Sequence, residues 1–248
     1  MRLKCLSCEA LARMVYFHSA FSPHMIDVEI IKLGLHNTPD ILRETLQNRI
    51  EQTLAGPVSY DAVVMAYGLC GKATYGLKAK GIPIVIPRAH DCITLFLGSR
   101  ARYKDQFENQ PGTYWYSLDY LERNDSSGTV LSLGASEVAN DLQATYQTYV
   151  DKYGRDNADY LMGIMGGWQS HYQRAAYVDM GIGDGSVIEQ KARDDAANRG
   201  WTFEHMQGDS GLIKKLLYGE WEKDFLILKP GEKLKMTYDE AIIGPEPI

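Results

Sequence analysis

No stretch of this sequence approaches the roughly 18 consecutive apolar residues that a bilayer-spanning helix requires. No cluster of Lys and Arg stands out against a formal net charge of -6. The first absence argues against a membrane span, and the second against a general binder of nucleic acid or anionic membranes. The opening residues, MRLKCLSCEALARMVYF, are interrupted by Lys4, Glu9 and Arg13 and lack the apolar core of a secretory signal. A cytoplasmic location is therefore expected. Cysteine is scarce: four residues in a chain of 248 are too few for a disulfide scaffold. In a reducing compartment they are buried thiols, metal ligands or redox groups. Nucleotide-binding signatures are missing as well. MGIGDGS at Met180–Ser186 lacks the Lys-Ser/Thr that completes a phosphate loop, and no G-x-G-x-x-G follows the first apolar run. Internal repeats and low-complexity segments are absent too.

What is present is the composition of an ordinary globular protein, 45% hydrophobic and 23% charged, long enough for one large domain or two lobes. The first hundred residues alternate between strand and helix patterns. A short apolar run at Leu3–Leu6 precedes a helical stretch from Glu9 to Phe17, and IDVEIIKLGL follows with β-branched residues. From residue 38 to 56 the pattern is helical. Thr38 serves as N-cap, Pro39 suits the first helical position, and Gly56 closes the helix. Ile41, Leu42, Leu46, Ile50 and Leu54 fall on one helical face. YDAVVMAYGLCG and GIPIVIPRAHDC are nearly continuous apolar runs, as expected of strands buried on both faces of a parallel sheet, and residues 72–80 supply a short crossover between them.

Beyond Gly98 a helix, a Pro-Gly turn and an aromatic segment lead to the polar NDSSG at 124–128. That break separates an α/β lobe, 1–123, from a smaller α/β lobe, 129–248, unless the two form one continuous domain. In the second lobe ASEVANDLQATYQTYVDKYG and VIEQKARDDAANRG are helices, the latter capped by Gly200. DNADYLMGIMGGW and WTFEHMQGD are strands, SGLIKKLLYGEW is a helix, and DFLILKPG is the last strand. The fold class is α/β, with a layered, parallel-sheet (Rossmann-like) N-terminal lobe whose ligands lie beyond the carboxyl ends of its strands.

Three cysteines sit where such strands end. Cys8 follows the first run, Cys70 lies in YGLCG, and Cys92 closes PRAHDC, two residues after His90. In a parallel sheet these positions share one edge. The wide spacing excludes a finger-type zinc site, which uses local pairs. Three thiolates, with His90 or an exogenous group as fourth ligand, suit either a catalytic zinc or a [4Fe-4S] cluster. A helix opening at Cys8 would lower its pKa. Cys5, inside the first strand, belongs to the core. Glu9, His90 and Asp91 are candidate catalytic groups, as acid, base or support for the metal. Arg88 and Arg100 flank the segment and could hold an anionic substrate group. His171, Tyr172 and Arg174, after a Gly-Gly turn, are candidates for substrate contact in a cleft between the lobes. Asp209, just before a helix, reads as an N-cap.

Several segments give the chain a resemblance to an uncharacterised family, domain of unknown function 1638. They are CEAL at Cys8, YGLCG, IPRAHDCITLFLGS, PGTYW, HYQRAAYVD, QGDSGLIKKLLYGEW and DFLILKPGEKL. The resemblance implies a setting in anaerobic one-carbon or methyl metabolism, alongside corrinoid-dependent methyl transfer. It agrees with Cys8, Cys70, His90 and Cys92 as the site and leaves Cys5 outside it. The expectation is a cytoplasmic, zinc- or iron–sulfur-dependent protein acting as an enzyme on a small molecule. The alternative is a non-catalytic accessory or metal-delivery protein whose partner is a corrinoid protein or methyltransferase.

Overall fold

The two uninterrupted apolar runs form strands buried along their whole length, β3 (Ala62–Ala66) and β4 (Ile84–Pro87). In the computed structural model, which describes residues 1–35, 38–123, 155 and 172–248, they lie side by side in a five-stranded sheet. β1 (Arg2–Cys8) pairs in parallel with β3 on one side and with β2 (Met25–Ile31) on the other. β4 adds in parallel to β3, and β8 (Phe225–Leu228) runs antiparallel along β4. The order is therefore β2-β1-β3-β4-β8. The chain winds outward from β1 to β2, then returns past β1 to β3 and β4. In such sheets the crevice at that reversal, between β1 and β3, is the usual ligand position.

Strand register fixes which side chains share a face. Leu6 pairs with Met65, Val63 with Ile84, and Ile84 with Leu228. All five are buried in one core cluster with Leu42, Leu46 and Ile50 of α2 (Pro39–Ala55). Each such aliphatic side chain contributes about 1.5–3 kcal/mol on burial. Ile41 does not join them: it is 53% exposed, so the helical face is narrower than its periodicity implied. Gly56 ends α2 as expected, whereas the Thr38 side chain bonds back to the Leu35 carbonyl rather than capping. Val64 and Val85 alternate to the opposite face and are fully buried there. α1 (Ala12–Phe21) and α7 (Gly211–Tyr218) pack on each other, and α7 packs on β3 and β4.

Between β3 and β4 the crossover contains turns and no helix. It borrows hydrogen bonds from β9 (Glu232–Met236), which forms a hairpin with β10 (Ile243–Pro247). Gly76 donates to Leu234 at 2.8 Å, Leu234 to Leu77 at 2.8 Å, and Ala79 to Glu232 at 2.9 Å. DFLILKPG, expected as the last strand, is thus followed by two more.

The chain divides differently from the expected lobes 1–123 and 129–248. One compact unit comprises Met1–Lys104, Met180–Ile182 and Gln207–Ile248; the other comprises Asp105–Asp179 and Gly183–Met206. The C-terminal segment returns to the first unit because the β4 edge needs a hydrogen-bonding partner and β8 supplies it. In the second unit β5 (Thr113–Ser117) pairs in parallel with β6 (Arg174–Asp179), and β7 (Thr202–Gln207) lies beyond β6. α6 (Ser186–Arg199), capped by left-handed Gly200, covers β5 and β6 over a core of Tyr114, Tyr116, Tyr177, Ala192 and Ala196. α3 (Cys92–Leu97) and α4 (Arg100–Asn109) follow β4, and α5 (Leu118–Glu122) follows β5. The break at 124–128, the helix of ASEVANDLQATYQTYVDKYG and the strand of DNADYLMGIMGGW lie outside the described residues. Among the described residues no helix is long and apolar enough to cross a membrane.

Candidate functional site

Cys8, Cys70 and Cys92 come from the carboxyl ends of β1, β3 and β4, three strands that are neighbours in the sheet. Cys8 is the last residue of β1, Cys70 lies four residues past β3, and Cys92 opens α3. The loops after β3 and β4 continue the ladder beyond the strands. Leu69 N–H donates to the Ala89 carbonyl at 2.8 Å, and Cys70 N–H to the His90 carbonyl at 2.9 Å. Gly68 makes this approach possible. A Cβ there would stand 2.8 Å from the Asp91 nitrogen and 3.0 Å from the Ala89 oxygen. Cys70 itself has φ of 46°, a left-handed conformation uncommon outside glycine, held by a turn in which Ala73 N–H donates to its carbonyl.

All three thiols are half-buried, and burial pushes each pKa up, Cys8 to about 11. The lowered value expected for Cys8 at a helix start is not found. Only a single 3-10 turn, Glu9–Leu11, follows it, and loss of water outweighs the Ala10 N–H directed at it. After burial, the Cys8 thiolate raises Cys70, while Asp91, Cys70 and Cys8 together raise Cys92. The three sulfurs therefore share an electrostatic environment in which each negative charge opposes the others. Among the described residues no three His, Cys, Asp or Glu side chains stand in an arrangement that could hold a metal ion. Cys5 is fully buried and, by alternation along β1, faces away from Cys8, with its pKa raised to about 12 by burial.

The polar groups around the thiols have defined partners. Asp91 caps α3, its Oδ1 accepting from Ile93 N–H at 3.0 Å and Thr94 N–H at 3.3 Å, while its Oδ2 accepts from Tyr103 at 3.3 Å. Burial still raises its pKa, against those hydrogen bonds. His90 is exposed and its ring stacks on Tyr103, centroids 5.5 Å apart. Glu9 accepts from Leu33 N–H at 2.8 Å, which ties the loop after β2 to the end of β1. Tyr67, unremarked in the sequence, is 2% exposed, and its hydroxyl has no hydrogen-bond partner among the described residues.

The arginines are engaged elsewhere. Arg88 donates through Nη1 to the carbonyls of Ala241, at 3.1 Å, and Ile243. Arg100 donates to the Glu240 carbonyl at 2.6 Å and pairs with Asp224 at 3.2 Å. Both fasten the C-terminal segment rather than facing an open anion site. In the second unit Arg174 is buried, paired with Glu204 at 3.0 Å and bonded to Gln106 at 2.5 Å. Tyr172 packs against Tyr114 and Trp201. His171 lies outside the described residues. Tyr67 and Tyr103 went unnoticed because a tyrosine in an apolar or helical run carries no local signature. For Tyr67 the available signal was two-residue alternation, which puts it on the face of Val63 and Met65.

Fold and site together define an α/β protein with a thiol-bearing edge at the reversal point of a mostly parallel sheet. The chain belongs to the family described as Protein of unknown function (DUF1638), which matches residues 30–217. That span includes Cys70, His90 and Cys92 but not Cys8. No curated protein and no solved structure matches the chain.

Proposed function

We propose that Cys8, Cys70 and Cys92 form a thiolate metal centre, with His90 or an exogenous group as the fourth donor, in an enzyme acting on a small molecule. The observation that supports it is the delivery of three cysteines, by the carboxyl ends of three adjacent parallel strands, to the crevice where sheets of this topology bind ligands. The chemistry of the donors fits a borderline or soft cation. Their thiolates oppose one another electrostatically, and a bound cation offsets that repulsion, with protons released as the sulfurs deprotonate. The reading requires the three side chains to turn toward one point from their present orientations. Zinc would polarise a carbonyl or activate a thiol or water at an open position; a [4Fe-4S] cluster on three cysteines would leave one iron free for substrate. The setting in anaerobic one-carbon or methyl metabolism rests on family resemblance alone.

One observation favours a second reading, an accessory or metal-delivery protein for a corrinoid-dependent methyltransferase system. Arg88 and Arg100, the cations that flank the His90–Cys92 segment, are tied to the protein's own carbonyls and to Asp224. Metal analysis of anaerobically purified protein tests the centre itself. Stoichiometric colourless metal indicates zinc, and a brown chromophore indicates a cluster. In either case metal is lost in Cys8→Ser, Cys70→Ser or Cys92→Ser and kept in Cys5→Ser. Metal that survives all three substitutions, or none in the wild type, overturns the reading. Turnover of a small thiol or amine favours the enzyme, and co-purification with a corrinoid protein favours the accessory role.

A further inference from the structure

Ser210 stands at the start of α7, where a serine side chain ordinarily caps the first helix amides. Here it caps none of them. Its hydroxyl lies instead 2.8 Å from Nε2 of His18, 192 positions away on α1. Asp209 serves the helix start in its place, with Oδ1 accepting from Gly211 N–H at 2.7 Å. The turn that carries the serine is fixed. Asp209 N–H donates to the Phe96 carbonyl at 2.9 Å, and a Cβ on Gly98, whose φ is 69°, would meet the Asp209 side chain at 2.6 Å. The far ends of the two helices are fastened as well. Ser22 donates to the Leu217 carbonyl at 2.8 Å and Tyr218 to the Phe21 carbonyl at 2.9 Å. Serine and histidine are thus held by packed helices rather than by loose loops.

A hydroxyl within about 2.6–3.2 Å of an imidazole nitrogen has the geometry of a nucleophile and its general base. His18 is 8% exposed and Ser210 half-buried, so the serine is the more reachable of the two. Burial, and then the charge of Lys214, hold the ring's pKa below its ordinary value, so at neutral pH it is uncharged and can accept a proton. Beside the pair, Phe17 sets its ring edge-on to His18 at 5.1 Å and lies 5.3 Å from Phe21. Both phenylalanines are exposed, and together they offer an apolar surface next to the hydroxyl.

We propose that Ser210 and His18 are a nucleophile–base pair that hydrolyses carboxylic esters of apolar acyl groups. The inference does not rest on the thiol site. With the imidazole proton on Nδ1, Nε2 accepts the hydroxyl proton as Ser210 Oγ bonds to the ester carbonyl carbon. The bond from that carbon to the alcohol oxygen then breaks, and His18 gives the proton to the departing alcohol. Water completes the cycle. His18 takes a proton from it, its oxygen bonds to the acyl carbon, the bond to Ser210 Oγ breaks, and the proton returns to Oγ. One ester and one water give one acid and one alcohol. While the acyl carbon is tetrahedral its oxygen is negative, and it forms beside the N-terminus of α7, where the helix dipole favours negative charge.

Labelling of the full-length protein with an alkyl fluorophosphonate, which phosphonylates activated serines, tests the pair, with peptide mass spectrometry to locate the label. A label is expected on Ser210 in the folded wild type, and none on that residue in urea-unfolded protein. Hydrolysis of p-nitrophenyl butyrate is expected to fall by about 100-fold or more in Ser210→Ala and in His18→Gln. A serine and histidine that only pack together would leave Ser210 unlabelled in the wild type, and that result overturns the proposal. So does labelling of Ser210 as fast in folded His18→Gln as in wild type. Should His18→Gln fail to fold, protection decides the point in the wild type alone. Excess p-nitrophenyl butyrate is expected to slow labelling of Ser210, and an unchanged rate overturns the proposal.

Discussion

Gly68 and Asp91 are in backbone contact so close that a methyl group on Gly68 would lie 2.8 Å from the Asp91 nitrogen and 2.9 Å from its Cα. Carbon atoms do not share that space. The contact seats the loop bearing Cys70 against the loop bearing His90 and Cys92, and the neighbouring Leu69–Ala89 and Cys70–His90 hydrogen bonds depend on it.

Gly68→Ala is accordingly expected to force the two loops apart. Overpacking of this kind costs about 1–3 kcal/mol, and each kcal/mol lowers the melting temperature of a domain this size by about 2–4 °C. Thermal unfolding measures the loss. Under the proposed metal reading, uptake by the same variant is expected to fall with it, because the Cys70 loop no longer seats against the Cys92 loop.

Asp91 caps α3 and so positions Cys92, the first residue of that helix. Asp91→Ala removes the acceptor for Ile93 and Thr94 and is expected to cost about 0.5–2 kcal/mol, whereas Asp91→Asn keeps the cap and most of the stability. Urea unfolding of the pair decides the point. Equal losses in both would mean that the carboxylate charge, not the cap, holds the helix.

Arg88→Met tests whether that guanidinium fastens the C-terminus. Hydrogen bonds from a charged donor contribute about 1.5–3 kcal/mol, so the variant is expected to lose stability of that order. Amide exchange is expected to quicken in residues 239–248 while remaining unchanged in β1 and β3. Protection that falls equally throughout the first unit would contradict this role.

His18 provides the pH dependence. It is 8% exposed, and its Nε2 lies 2.8 Å from the Ser210 hydroxyl. Burial, and then the positive charge of Lys214, hold its pKa below the ordinary value. In the unfolded chain the ring titrates near 6.5. Below about that pH the unfolded state takes up a proton that the folded state refuses, so stability declines as pH falls toward the folded value. Above about 6.5 the contribution is complete and flat. His18→Gln is expected to remove this part of the acid slope, as read from urea midpoints in mildly acidic and neutral buffer. An unaltered slope would assign it to other groups.

Much of the local structure was legible in the chain. The long apolar runs that became β3 and β4 declared themselves as doubly buried, because a strand covered on both faces has no polar alternation to keep. Pro39 marked the start of α2 and Gly200 the end of α6, because fixed φ and left-handed backbone are properties of single residues; Gly56 also closes α2, though in an extended conformation. Ile41 misled, since helical periodicity locates an apolar face but not how far the sheet beneath it extends. Cys8 misled as well: its place before a helical pattern was plain, but its burial, which reverses the pKa shift, was not.

By itself the sequence determined the α/β class, the strands of the five-stranded sheet, and the placement of Cys8, Cys70 and Cys92 at or just past strand ends, because these follow from periodicity and backbone preference within a few residues. Only the tertiary structure decided that β1, β3 and β4 are neighbours, that residues 207–248 return to the first unit, that Arg88 serves the C-terminus, and that the Tyr67 hydroxyl is buried without a hydrogen-bond partner among the described residues. Those facts rest on pairings between distant residues, 153 positions apart for Arg88 and Ala241. No local pattern records such a partner, since the free energy that selects it arises only when the chain has closed on itself.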